Sequence, residues 1–101
     1  MLYAYVHLQK RMRNRKPEGN SLAEQKLISV IVPCYNEEEV LPLFYAEITK
    51  VSAEMQQVHP ELTFEYLFID DGSKDHTLRD LRRLAKQDKR VRFISFSRNF
   101  G

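Results

Sequence analysis

Two adjacent carboxylates, Asp70 and Asp71, close the apolar run Leu67-Phe68-Ile69 and lead through Gly72-Ser73 into a helical pattern. Parallel strands in α/β folds are buried along their length and expose chemistry at their carboxyl ends, so acids placed there point to a binding crevice. Turn chemistry explains part of the pattern. Gly72 and Ser73 are ordinary turn residues, and Asp75 or Thr77 would cap a following helix in any protein. It does not explain an Asp-Asp pair ending a strand. A second loop, Pro33-Cys34-Tyr35-Asn36-Glu37-Glu38, follows the apolar run Leu27–Val32. The Tyr35 ring can stack on a base, and Glu37, Asp70 and Asp71 can accept bonds from base N–H groups or ribose hydroxyls, which together suit a nucleotide pocket. The phosphate end is not accounted for. No Gly-x-Gly-x-x-Gly follows the first strand and no Gly-x-x-x-x-Gly-Lys-Ser/Thr is present, so neither glycine-rich phosphate cradle applies. Pyrophosphate without such a cradle calls for a divalent metal held by oxygen ligands.

The elements that must position these loops are legible as alternating strands and helices. Leu27–Val32 is almost continuously apolar and β-branched, which predicts a strand buried on both faces and stopped by Pro33. Val40, Phe44, Ile48, Val51, Met55 and Val58 recur at helical spacing, predicting a helix from about Glu38 or Glu39 to Val58. Pro42 is tolerable in its first turn, and the three glutamates suit its positive end. After His59-Pro60, Phe64–Ile69 reads as a second strand. Leu78, Leu81, Leu84 and Ala85 then mark a second helix, and Val91–Phe96 a third, less buried strand. The order β-α-β-α-β demands crossovers and a parallel sheet, giving an α/β, three-stranded, Rossmann-like half of a doubly wound domain. With spatial order 3-2-1 the Leu27–Val32 strand becomes an edge despite its central-strand composition. A neighbour from beyond Gly101 or from another chain is therefore expected, and association through that exposed strand where none is supplied.

The 101 residues, 43% of them hydrophobic, suit one small domain. Residues 27–101 are assigned to it. Residues 1–26 read as a basic, helical arm and a linker, with Lys10, Arg11, Arg13, Arg15 and Lys16 clustered against few acids. Such a run is usually a solvated surface, and no nucleic-acid partner is expected. The single cysteine, Cys34, rules out an internal disulfide or a cysteine-built metal site, and it reads as an ordinary thiol. His7, His59 and His76 share no metal spacing. No apolar run approaches the ~20 residues of a membrane span, and no signal-peptide order is present.

Three stretches carry a specific likeness. Ile28–Glu38, Phe68–Thr77 and Ser97-Arg98-Asn99-Phe100-Gly101 together resemble the amino-terminal part of a family-two glycosyltransferase of the GT-A fold, in the polyprenyl-phosphate branch of dolichol-phosphate mannose synthases and bactoprenol glucosyltransferases. The resemblance covers about Leu27 to Gly101. It implies that Pro33, Tyr35 and Glu37 line a nucleotide-base pocket and that Asp70 and Asp71 contact the base and ribose of a UDP- or GDP-hexose. It also implies a polyprenyl phosphate acceptor at the cytoplasmic side of the membrane, with Mg²⁺ or Mn²⁺ on the diphosphate. The family's metal motif and catalytic residues fall after Gly101, so no catalytic or metal-binding residue is expected in this chain and the isolated chain is expected to be inactive. The alternative from another class is a non-enzymatic nucleotide-binding or assembly piece completed by another chain, or an incomplete gene product.

Overall fold

A computed structural model describes the backbone of residues 5–12 and 24–96 and the side chains of residues 25–96. The elements are β1 (Tyr5–Met12), β2 (Glu24–Cys34), α1 (Leu41–Val58), β3 (Leu62–Asp70), α2 (Thr77–Gln87) and β4 (Val91–Ser95). They form one four-stranded sheet in the order β1-β2-β3-β4. β2, β3 and β4 are parallel, as the alternation of strands and helices requires, and β1 is antiparallel to β2.

The period of two in the strands sorts their side chains between two faces. Ile28, Val30, Val32 and Cys34 of β2 pair in register with Phe64, Tyr66, Phe68 and Asp70 of β3, and all are buried. Leu41, Phe44, Tyr45 and Ile48 of α1 and Leu81, Leu84 and Ala85 of α2 join this same core. Both helices lie on one face because both crossovers move in the same direction across the sheet. Phe44 meets Phe68 edge-on at 6.3 Å between centroids. Full burial of side chains such as Phe68 and Leu81 stabilises the sheet by about 1.5–3 kcal/mol each. Among the described residues no buried side-chain N or O lacks a partner: the Tyr66 hydroxyl donates to Ser52 Oγ at 2.7 Å, and Ser52 donates to the Ile48 carbonyl at 2.8 Å. On the other face Leu27, Ile31, Leu67 and Ile69 are half-buried.

At the amino end of β4, away from the Asp70 end of the sheet, Asp88 accepts from the Arg90 guanidinium (2.9 Å) and from the Tyr45 hydroxyl. Arg90 lies 5.2 Å over the Tyr66 ring. These contacts tie the α1 and α2–β4 layers together on the side remote from the strand-end loops.

Four expectations need correction. The stretch expected to be a helical arm contains strand β1, in which Val6 and Leu8 alternate with His7 and Gln9 at the period of a strand. The missing neighbour of the Leu27–Val32 strand is therefore neither later sequence nor another chain. It is β1, paired from Tyr5↔Ile31 to Met12↔Glu24, so association through an exposed β2 edge has no open edge along that pairing. Lys10 and Arg11 fall on β1, opposite Lys26 and Gln25. Arg13, Arg15 and Lys16 lie outside the described residues. β2 does not stop at Pro33 but runs through it to Cys34. The described pairing with β1 ends at Ile31, and on its other side Pro33 stands level with Ile69 of β3. Finally, α1 starts at Leu41, not near Glu38. Both Val40 N–H and Leu41 N–H donate to the Glu37 carbonyl (3.1 and 2.9 Å), so the glutamates occupy a turn that precedes the helix.

Candidate functional site

The parallel register sets Cys34, Asp70 and Ser95 level at the carboxyl ends of β2, β3 and β4. One further bond on each side extends the ladder: Asp71 N–H donates to the Cys34 carbonyl and Phe96 N–H to the Asp70 carbonyl, each at 2.9 Å. The loops after β2 and β3 consequently leave the sheet side by side.

The two aspartates part company at this point. Asp70 continues the inward series Phe64, Tyr66, Phe68 and is 1% exposed. The Ser73 hydroxyl donates to its Oδ1 and the Ser73 N–H to its Oδ2 at 3.3 Å. Gly72, at φ 79°, makes that return possible, since a Cβ there would be strained. Asp71, one step along the strand, points the other way and is exposed. With Tyr35, itself 50% exposed, Gly72 and Lys74, it lines a cleft of about 320 Å³.

Behind the cleft, the two loops are clasped together. Asn36 N–H donates to Ser73 Oγ (2.9 Å), and Asn36 Oδ1 accepts from the N–H groups of Lys74 (2.7 Å) and Asp75 (3.3 Å). Glu37 N–H donates to Thr77 Oγ1 (2.8 Å) and Glu38 N–H to Asp75 Oδ2 (3.2 Å). In return, Glu38 Oε1 accepts from His76 N–H at 2.9 Å. Glu38 thus serves the start of α2, not that of its own helix, by satisfying an N–H that the helix leaves without a partner. Burial alone would raise the Asp75 carboxyl, but the bonds from the Thr77 hydroxyl and N–H and from Glu38 N–H hold it below the ordinary carboxylate range.

Cys34 lies beneath these loops, buried, its thiol pushed up to about 12 by desolvation first and then by the charges of Glu37 and Asp70. Burial and these charges disfavour the thiolate, the nucleophilic form of the side chain.

Of the residues singled out by sequence, the structure brings Tyr35 and Asp71 together in one cleft. Glu37, 9% exposed, borders a different cleft of about 310 Å³ with Asn36, Glu38, Glu39, Val40 and Asp75. Pro33 is exposed near the end of β2, and Asp70 is enclosed in the turn it organises. Sequence reasoning missed Lys74 and Asn36. Asn36 did carry a signal, because asparagine tolerates the left-handed backbone it adopts here, φ 52°. Chemically, the first cleft offers a stacking ring, a carboxylate acceptor and an ammonium donor. Among the described residues no three His, Cys, Asp or Glu converge to hold a metal. No helix among the described residues is long and apolar enough to cross a membrane.

Comparison with known proteins agrees with this architecture. The bactoprenol glucosyl transferase of Shigella phage SfV is 46% identical over 74 residues, covering 73% of this chain and 22% of that relative. The SfII prophage-derived bactoprenol glucosyl transferase of Shigella flexneri matches to the same extent. The prophage bactoprenol glucosyl transferase homolog of Escherichia coli (strain K12) is 42% identical over 74 residues, again 73% of this chain and 22% of the relative. The chain thus spans about a fifth of the length of the curated relatives it matches. The family described as glycosyl transferase family 2 matches residues 29–101, a span that runs from within β2 through β4 and includes both strand-end loops, and the chain belongs to that family.

Proposed function

We propose that the cleft between Tyr35 and Asp71 receives the nucleoside of a nucleotide-diphospho-sugar, a UDP- or GDP-hexose. The whole protein would pass the hexose to a polyprenyl phosphate at the cytoplasmic face of a membrane. The relatives named bactoprenol glucosyl transferases support the acceptor class, bactoprenol being a polyprenol. The observation that carries the nucleoside assignment is the half-exposed Tyr35 ring beside the outward Asp71 in a cleft of about 320 Å³. A ring binds a base through its face, and a carboxylate accepts from a ring N–H or from ribose hydroxyls.

Within this reading Tyr35 stacks on the base, Asp71 accepts from it, and Lys74 donates to a base carbonyl or to the nearest phosphate oxygen. Asp70 supports the wall through Ser73, and Glu37 through its backbone bond to Thr77. Pro33 ends the strand that carries Tyr35. We assign neither a metal ligand nor an acceptor site to the described residues.

Calorimetric titration of the chain with UDP, GDP and ADP, each with and without Mn²⁺, tests the proposal. Weak binding of UDP or GDP, stronger than that of ADP and little altered by Mn²⁺, is the expected result. Tight binding that strictly requires Mn²⁺, or no preference for UDP or GDP over ADP, would count against it.

A further inference from the structure

The walls of the Tyr35–Asp71 cleft come from two different loops, and neither loop fixes its distance from the other by itself. Tyr35 belongs to the loop after β2. Asp71, Gly72 and Lys74 belong to the loop after β3. On one side of Tyr35 the Cys34 carbonyl accepts from Asp71 N–H, and on the other side Asn36 joins the loops. Asn36 uses its own N–H on Ser73 Oγ and its side-chain oxygen on the N–H groups of Lys74 and Asp75. Ser73 in turn donates to the buried Asp70, so the junction is anchored to the sheet core. The left-handed backbone of Asn36 (φ 52°) brings both its N–H and its amide onto the same neighbouring loop.

We infer that Asn36 is a positioning residue for nucleoside binding: its amide oxygen sets Tyr35 against Asp71 and Lys74 at the separation a base requires. This rests on the nucleoside reading of the cleft. Glycine at this position would keep the left-handed backbone and remove only the amide. Aspartate would keep both the conformational tolerance and an acceptor oxygen. The two substitutions therefore separate backbone shape from the bonds to Lys74 and Asp75.

The test is UDP and GDP titration of the 101-residue chain as wild type, Asn36→Gly, Asn36→Asp, Tyr35→Ala and the Asn36→Gly/Tyr35→Ala double variant. Far-UV circular dichroism and amide exchange are recorded for each. The loss of two hydrogen bonds predicts binding about tenfold weaker for Asn36→Gly, with faster exchange at Lys74 and Asp75. Asn36→Asp should stay within about threefold of wild type, a conservative rescue that shows the acceptor oxygen to be what matters. The decisive readout is coupling: with Tyr35 already removed, Asn36→Gly should cost little further affinity, because there is no ring left to position. A general loss of structure would instead add to the Tyr35→Ala effect. Wild-type binding with undiminished Asn36→Gly affinity overturns the inference and leaves the nucleoside reading standing, as does an Asn36→Asp loss as large as the glycine loss. A wild-type chain that binds neither nucleotide overturns the reading of the cleft and the inference with it. Should Asn36→Gly fail to fold, Asn36→Asp and its exchange at Lys74 and Asp75 still decide the matter: retained protection with retained affinity supports the inference, and retained affinity without protection overturns it.

Discussion

Asp70 and Asp71 are identical in chemistry and adjacent in sequence, yet they belong to different regions of the molecule. Asp70 closes the inward series of β3, is 1% exposed, and has both oxygens occupied by Ser73. Asp71 stands in an open cleft beside a half-exposed tyrosine and a lysine. The difference comes from the period of two in a strand, which sends successive side chains to opposite faces. One carboxylate therefore organises the turn and the other lines the cleft we propose for the nucleoside, and substitution should separate the two roles.

The largest effect is expected at Asp70. Asp70→Ala leaves the part-buried Ser73 N–H and hydroxyl without their acceptor, and should lower stability by about 2 kcal/mol in urea unfolding. A variant as stable as wild type would break the comparison, since Asp70 would then have no structural task. Next comes Asp71→Asn. It should weaken UDP or GDP binding by about 1–2 kcal/mol while lowering stability less than Asp70→Ala does, because its side chain is exposed. Equal losses of stability for the two variants would erase the distinction.

The smallest effect sharpens the contrast between the clasp and the far end of the sheet. Bonds to Asp75 from Thr77 and Glu38, working against burial, and bonds to Asp88, from Arg90 above all, hold both carboxyls below their ordinary range in the folded chain. A depressed folded value means that the stabilisation is present above the unfolded carboxylate value and is lost as pH falls through the folded one. Urea midpoints should hold from neutral pH to about 4 and decline below it, with Asp88→Asn flattening part of the decline. Stability that rises on acidification would contradict the assignment.

Much of this was legible in the sequence, for identifiable reasons. Continuous apolar runs, the Asp-Gly turn and the helical spacing of Leu81, Leu84 and Ala85 were enough for the parallel β-α-β-α-β order, because each signal is local. β1 was hidden because its Lys10 and Arg11 read as a basic arm, and only the partner register shows that Tyr5–Met12 completes the edge of β2. The division between Asp70 and Asp71 could have been read by extending the alternation Phe64, Tyr66, Phe68 by one step. The separation of Tyr35 from Glu37 could not. It depends on the left-handed backbone of Asn36 and on bonds to residues nearly forty positions away, which no local pattern records.

The central claim is that the outward carboxylate and its neighbouring ring form the nucleoside site. Amide chemical shifts of the ¹⁵N-labelled chain during titration with UDP and with GDP test it most directly. The account predicts saturable shifts concentrated at Tyr35, Asp71, Gly72 and Lys74, reached only at higher nucleotide concentration in Tyr35→Ala, with Glu39 and Val40 of the second cleft undisturbed. Shifts centred instead on the cleft bordered by Glu37, Glu39 and Val40, or no saturable shift with either nucleotide, would contradict it.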